Sequence, residues 1–516
     1  MTANPTTPHD QPAQPSAPAP VSFKGTAHRA VAAPTRPATK RRAELPRDPT
    51  TTKPVHWILL AAIVAVAIGV RLQETASSPL IGAEDPYRHM ERTWDIVQGK
   101  GFAEYPPGLT LVLLPFTFLG PDALYVVSMY IPLAFAAVMV LGMFMLGRHY
   151  IHPSGGLVAA SLMAVMPESI RRTDLLFPTA LDLAILPFLL LAVLKVSEGN
   201  RRALVPAGLL GGFLMLSHPW VLALALPPLA VFALVMAWRQ KPEWRKAVVG
   251  IGAALALASV VFAFTATRLP QILGDLGSLA TLPAYVDLPA MLTLPALLLG
   301  GVGAVLAIRS RDRFSILALL WTALLLPVVL VDWLGLWYVP HRSVVYLAMG
   351  IAMLAGVPVA ELLRLLKESK PQAQPSVTFG AVGLALLVVT PTGIGMDPWY
   401  RTFSEAEMEA WHEVGDMGKY VMTGSWEARA GYRAVTGQAA NFNPEFFQDD
   451  FMRQMEERDH PGLVVLMDCH SASEGTSTGA LEAAGYHMQK QWGDPSCPKD
   501  EQTGLPKGWT ALYVKG

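Results

Sequence analysis

Two carboxylates, Glu84 and Asp85, stand side by side in "IGAEDPYRHMERTWDIV", followed by Pro86, which fixes the backbone, and by Tyr87 and His89. Such a pair can ligate a hard divalent cation through oxygen or accept a proton from an attacking nucleophile; a solvated acidic loop is the plainer alternative. A second cluster begins at Pro167, "PESIRRTDLLFPTALDLAI", and offers Glu168, Arg171, Arg172, Asp174 and Asp182. Asp182 lies a little way into an apolar stretch, where an acid must be paired, coordinated or facing a cavity, unless it simply reaches water at an interface. If the two clusters are neighbours, Asp85 with Asp174 or Asp182 could share one metal ion. A third stretch, "DWLGLWYVPHR", ends with His341 and Arg342 at the start of an apolar run. A guanidinium beside a helix N-terminus suits an anionic phosphate. The alternative is an arginine snorkelling among Trp333, Trp337 and Tyr338.

The elements that hold these residues follow from composition. The chain has 516 residues, 40 basic and 40 acidic, with 52% hydrophobic and only 16% charged residues. Mean hydropathy is +0.36. Soluble domains carry about 25% charge, and here the deficit is concentrated: 58–70, 123–147, 203–217 and 247–267 hold no charge at all. This pattern excludes a single soluble enzyme, a disordered chain and a nucleic-acid binder with a basic face. It predicts a polytopic α-helical membrane protein.

Three regions are expected. Residues 1–54 are rich in Pro, Ala and Thr, with eight basic and three acidic residues. They read as a disordered basic tail held in the cytoplasm by its charge. Residues 55–395 form the membrane region, with about eleven spans near 55–70, 123–146, 155–168, 179–194, 203–218, 220–238, 247–266, 290–308, 314–331, 343–360 and 376–395. The connections at 148–153, 195–202, 239–246, 309–313 and 364–370 are all basic and so are placed inside. This works if 106–120, "PPGLTLVLLPFTFLG", is an interfacial or re-entrant helix, being too short for the ~30 Å hydrocarbon layer. The three polar clusters and the C-terminus then lie outside the cytoplasm of a multi-pass plasma-membrane protein.

Residues 396–516 carry 19 acidic and 10 basic residues and a soluble α/β rhythm. Ser404 and Glu407 have capping-box spacing at the start of "SEAEMEAWHEVG". "KYVMTG" and "GLVVLMD" read as short buried strands, and "PEFFQDDFMRQMEERDH" as an amphipathic helix opened by proline. A small three-layer α/β domain is expected. Both cysteines, Cys469 and Cys497, fall here, and in an oxidising compartment they are expected to pair.

Taken together, these residues resemble the membrane glycosyltransferases of the GT-C class, above all the catalytic subunit of the archaeal single-subunit oligosaccharyltransferase. "EDPYRH" looks like that family's acidic-Pro-aromatic motif in the first external loop, and "EYPPG" like its Tyr-Pro-x-Gly turn. "RRTDLLFPTALD" is similar to the second-loop Arg-Thr and acid. "HRSVVYLAMGIAMLAG" is similar to the helix opened by the phosphate-binding arginine. "MTGSWEARAGYRAVTG" is placed like the Trp-Trp-Asp peptide motif. In the first loop, Glu91 stands where the family has an arginine, with Arg92 beside it.

The resemblance implies transfer of a sugar or oligosaccharide from a polyprenyl, dolichol-type, phosphate or diphosphate carrier to a protein or glycan acceptor on the outer membrane face. Protein asparagine is one such acceptor. It implies Asp85 and Glu84 as catalytic residues, and Mg2+ or Mn2+ held by Asp85 and by Asp174 or Asp182. It implies lipid-phosphate contacts from Arg342, His341 and Arg172, and acceptor contacts from Trp426, Glu427, Tyr87 and His89. A single-sugar transferase using a lipid-monophosphate donor is the alternative within the class. Outside it, a transporter or lipid flippase would show matching halves with broken helices at the midplane, and no such halves are visible. A non-catalytic scaffold completes the alternatives.

Overall fold

A computed structural model describes residues 52–76, 81, 85–100, 106–239, 288–333, 340–369, 374–394, 404–423, 426–438, 440–441, 463–469, 481–482, 485–494, 496 and 509–515, all within the compact unit Arg47–Gly516. The expected tail over 1–51, the span at 247–266, the helix at 444–460, Glu84 and Cys497 lie outside the described residues.

Helices α1 (Pro54–Ala76), α2 (Asp85–Val97) and α3 (Gly108–Leu113) come first, the last running into a 3-10 turn at Leu114–Leu119. Next are α4 (Pro121–Tyr150), α5 (Pro153–Val165), α6 (Pro167–Thr173), α7 (Pro178–Ser197), α8 (Leu204–Ser217) and α9 (Pro219–Arg239). After these follow α10 (Leu288–Leu292), α11 (Leu294–Ser310), α12 (Arg313–Trp333), α13 (Pro340–Ser369) and α14 (Gln374–Ile394). Among the described residues, five helical stretches are long and apolar enough to cross a membrane: Pro54–Gln73, Pro121–Tyr150, Pro178–Ser197, Arg313–Leu330 and Ser343–Leu366. Gly108–Leu119, like Pro153–Val165, is apolar but shorter.

Proline sets several of these boundaries. The sequence predicts one span over 155–168, but α5 stops at Val165, and Met166 is extended with φ −62° and ψ 132°. Pro167 disfavours the helical conformation in the residue before it, so the chain breaks and restarts as α6. Pro153, Pro167 and Pro178 each open a helix, where a missing N–H costs nothing.

Helix α13 is the centre of the bundle, with 94% of its apolar stretch buried against 28% for α1. It packs on α5, α11 and α12. Small residues let the backbones meet, as is common where helices associate in lipid. A methyl on Gly147 would stand 2.5 Å from the Cα of Gly156, and one on Gly303 would overlap the Leu354 carbonyl. Leu209, Leu234, Leu298 and Leu387 instead project outward and are mostly exposed. An apolar rim of that kind suits a lipid surroundings rather than water.

The C-terminal region contains α15 (Glu405–Asp416), α16 (Trp426–Thr436) and five strands: β1 (Tyr420–Thr423), β2 (Ala440–Asn441), β3 (Leu463–Asp468), β4 (Tyr486–Gly493) and β5 (Trp509–Lys515). The strand order is β2-β1-β3-β5-β4, parallel between β1 and both β2 and β3, and antiparallel at β3–β5 and β5–β4. Alternation along β3 sends Val464 and Leu466 into one core and Val465 and Met467 into another. Both faces are therefore covered, which explains its uninterrupted apolar run. The capping box forms as expected: Ser404 N donates to Glu407 Oε2 at 2.6 Å, and Glu407 N donates to Ser404 Oγ at 3.3 Å. Cys469 is buried and disulfide-bonded.

Candidate active site

Helix α2 carries the first-cluster residues, and one core joins it to the C-terminal sheet. Tyr87, Met90 and Trp94 share that core with Leu109, Leu124 and Leu181 on one side and with Trp411, Ala430 and Leu512 on the other. Asp85 is the first residue of α2 and is half-buried. A carboxylate in a first turn is favoured by the unpaired N–H groups there, and Pro86 follows where no donor is needed.

Tyr87 and His89 are enclosed rather than presented to solvent. Tyr87 Oη donates to the Ile81 carbonyl at 3.3 Å and lies 3.4 Å from Tyr125 Oη, which accepts from Ile81 N at 3.1 Å. Burial pushes the Tyr87 phenol well above its usual range, with Tyr125 adding to the effect. Burial likewise holds the His89 imidazole well below 6.5, and Arg92, His218 and Arg88 nearby push the same way.

The second-cluster residues occupy α6 and the start of α7, and their charges are engaged. Arg172 Nε donates to Glu168 Oε1 at 2.7 Å, both side chains being buried. Asp174 is buried near Arg71, and the two attract. Arg71 is wholly buried and was not singled out in the sequence. It donates from Nε to Thr173 Oγ1 at 2.6 Å, and from Nη1 to the carbonyls of Ala164 at 2.8 Å and Ala67 at 2.9 Å. Its position at the end of an apolar span was the available signal, since a charge buried without partners is costly. Asp182 lies fully buried one turn into α7, where Tyr346 Oη donates to its Oδ2 at 3.4 Å.

Helix α3 reaches this region by a close approach. A methyl on Gly108 would stand 2.6 Å from Ser217 Cα, so glycine lets the "PPG" turn press against the end of α8. Ser217 in turn faces Asp182. The arrangement thus brings the α3 turn, the end of α8, Asp182 and α13 together.

Among the described residues, no three His, Cys, Asp or Glu side chains gather closely enough to hold a metal ion. Asp85, Asp174 and Asp182 therefore form no such trio by themselves, and Glu84 lies outside the described residues. His341 and Arg342 fall in the first turn of α13, and Trp426 and Glu427 in the first turn of α16. Those placements keep Arg342 at a helix N-terminus, as its spacing predicts. Glu91, noted in the sequence only for standing where the resembled family has an arginine, is held by two arginines of α16. Its carboxylate accepts from Arg429 Nε at 2.9 Å and from Arg433 Nη1 at 3.0 Å.

Residues 106–264 match the family described as dolichyl-phosphate-mannose-protein mannosyltransferase. No curated protein matches the chain in sequence. Among solved structures, the archaeal oligosaccharyltransferase AglB from Archaeoglobus fulgidus, in complex with an inhibitory peptide and a dolichol-phosphate, is 14% identical with a TM-score of 0.54. That match covers 90% of this chain and 74% of AglB. ArnT from Cupriavidus metallidurans, bound to undecaprenyl phosphate, is 13% identical with a TM-score of 0.60, over 89% of this chain and 98% of ArnT. The arabinofuranosyltransferase AftD from Mycobacteria is 14% identical with a TM-score of 0.53, over 88% of this chain and 41% of AftD. At such identities the likeness is one of fold, and the fold this chain shares is that of the GT-C membrane glycosyltransferases.

Proposed function

We propose that this chain is a membrane glycosyltransferase that takes a sugar from a polyprenyl phosphate carrier and passes it to an acceptor on the outer membrane face. The observation that carries the reading is the match over 98% of ArnT, a structure holding undecaprenyl phosphate. The family match over 106–264, which spans the second polar cluster, supports it. In this account 55–395 is the membrane region and 396–516 an extracytoplasmic α/β domain, with the N-terminus cytoplasmic.

The chemistry asks for three things. An acceptor nucleophile attacks the anomeric carbon, the bond from that carbon to the phosphate oxygen breaks, and the phosphate leaves with the electron pair. Asp85, half-buried at the start of α2, takes the acceptor's proton. Arg342 in the first turn of α13 meets the leaving phosphate, where charge accumulates in the transition state. Arg172 is paired with Glu168 through Oε1, so its part is to hold the second cluster together. Trp426 and Glu427, in the first turn of α16, are the proposed acceptor contacts. The described carboxylates do not gather into a metal site.

Two donors fit this frame. A lipid-monophosphate sugar is favoured by the family description and by the near-complete coverage of ArnT. A lipid-linked oligosaccharide with protein asparagine as acceptor is favoured by the coverage of AglB. A transfer assay in membranes with each defined donor, with and without EDTA, separates them. Metal-independent turnover of the monophosphate sugar supports the first, and EDTA-sensitive transfer to an asparagine peptide supports the second. Failure with both donors would overturn the proposal.

A further inference from the structure

Helix α2 carries Asp85 in its first turn and, on one face further along, Glu91 and Asp95 at i and i+4. Helix α16 carries Arg429 and Arg433 at the same spacing. Side chains four residues apart on a helix lie one above the other, and here the two faces meet. Glu91 Oε1 takes both guanidinium groups, at 2.9 and 3.0 Å, and Arg433 also reaches Asp95. Gln98 Nε2 donates to the Gly437 carbonyl at 3.0 Å. Beside this network Trp94 lies against Gly437, where a methyl would come within 3.3 Å of the indole. Gly437 has φ +67°, so glycine answers both the backbone and the space.

The side chains of Glu91 and Arg433 are only 3% and 4% exposed. A buried ion pair adds little net stability over an apolar contact, but it admits few alternative geometries. Three ion pairs, spaced along facing helices, fix the axial register and the rotation of α2 together. A helix of thirteen residues is marginal alone, so its placement comes from what it docks on.

We propose that Glu91 is a positioning residue, through which the C-terminal region fixes α2 and so sets where Asp85 stands against the donor's sugar–phosphate bond. The inference rests on the glycosyltransferase reading above. A displacement of about 1 Å in a reacting group costs about 100-fold in rate, which sets the expected size of the effect.

The test uses the full chain in lipid nanodiscs, comparing wild type with Glu91→Gln, Glu91→Asp and Arg429→Gln. Two quantities are read: amide hydrogen exchange across Asp85–Val97, and kcat with donor KM. Glu91→Gln should speed exchange in α2 at least tenfold while leaving α12 and α13 unchanged. It should lower kcat about 100-fold with donor KM within twofold. Glu91→Asp should recover part of both losses. Arg429→Gln, which removes the more exposed partner, should give the same pattern more weakly if Glu91→Gln does not fold. Unchanged α2 exchange, or exchange that rises equally in every helix, would overturn the proposal. If wild type transfers sugar and these variants match it, the positioning role fails and the functional reading stands. If no donor is used by wild type yet α2 loosens selectively, the docking stands and the functional reading fails.

Discussion

The hydroxyl of Tyr346 lies 3.4 Å from Asp182 Oδ2, tying the central helix α13 to the start of α7. Both residues are buried, so this contact joins two apolar helices through polar groups that have no water to turn to. Leaving such a group unpaired costs about 1–3 kcal/mol. Asp182→Ala should therefore lower stability by about that amount, and Asp182→Asn, which keeps an acceptor for Tyr346, by less. Thermal unfolding in detergent compares them. Equal melting temperatures for wild type and Asp182→Ala would remove the structural role and return Asp182 to the metal question.

Arg71 should tolerate no replacement. Its guanidinium serves Thr173, Ala164 and Ala67 from a fully buried position. Arg71→Met removes the donor to Thr173 Oγ1 and to the Ala164 and Ala67 carbonyls, and leaves Asp174 without its neighbouring charge. The expected loss is about 3 kcal/mol or more. Arg71→Lys should recover only part, since an ammonium cannot present the planar fork. The melting temperature of the three proteins is the measurement, and an unshifted Arg71→Met would refute the assignment.

His89 gives a pH dependence. Its folded pKa lies well below 6.5, chiefly through burial, with Arg92, His218 and Arg88 adding repulsion. Between that depressed value and 6.5 the unfolded state binds more protons than the folded one. Stability from this group therefore rises with pH through that window and is fully present above about 6.5. His89→Gln should flatten the dependence between pH 5 and 6.5 while changing little at pH 8. Chemical unfolding at both pH values checks it, and an unchanged slope would exclude His89 as the source.

The parts of this structure written in local patterns were legible in the sequence. The reciprocal cap at Ser404 and Glu407, the strands around Val421 and Val464, and the apolar helix around Arg342 each follow from residues a few positions apart. Strand β4, "YHMQKQWG", was not legible, because it lies at a sheet edge with most of its side chains exposed. It therefore shows no buried alternation. The break at Met166 was readable from Pro167 and lost because the residues that lead up to it, Leu162 to Met166, are all apolar. The pairing of Glu91 with Arg429 and Arg433 joins residues more than 300 positions apart, and no periodicity encodes such a contact. The candidate carboxylates were found by type, whereas their partners Arg71 and Tyr346 emerged only from packing.

If Asp85 takes the acceptor's proton in sugar transfer from a lipid-linked donor, replacing it with asparagine stops transfer. Wild type and Asp85→Asn are reconstituted at equal, monodisperse yield with a radiolabelled polyprenyl-phosphate sugar, and transfer to acceptor is followed over time. Asp85→Asn keeps the shape of α2 and can no longer take a proton, a function worth about 100- to 10,000-fold. Wild type should transfer robustly and the variant should lose at least 100-fold, with donor binding retained. Equal rates in the two proteins would contradict it.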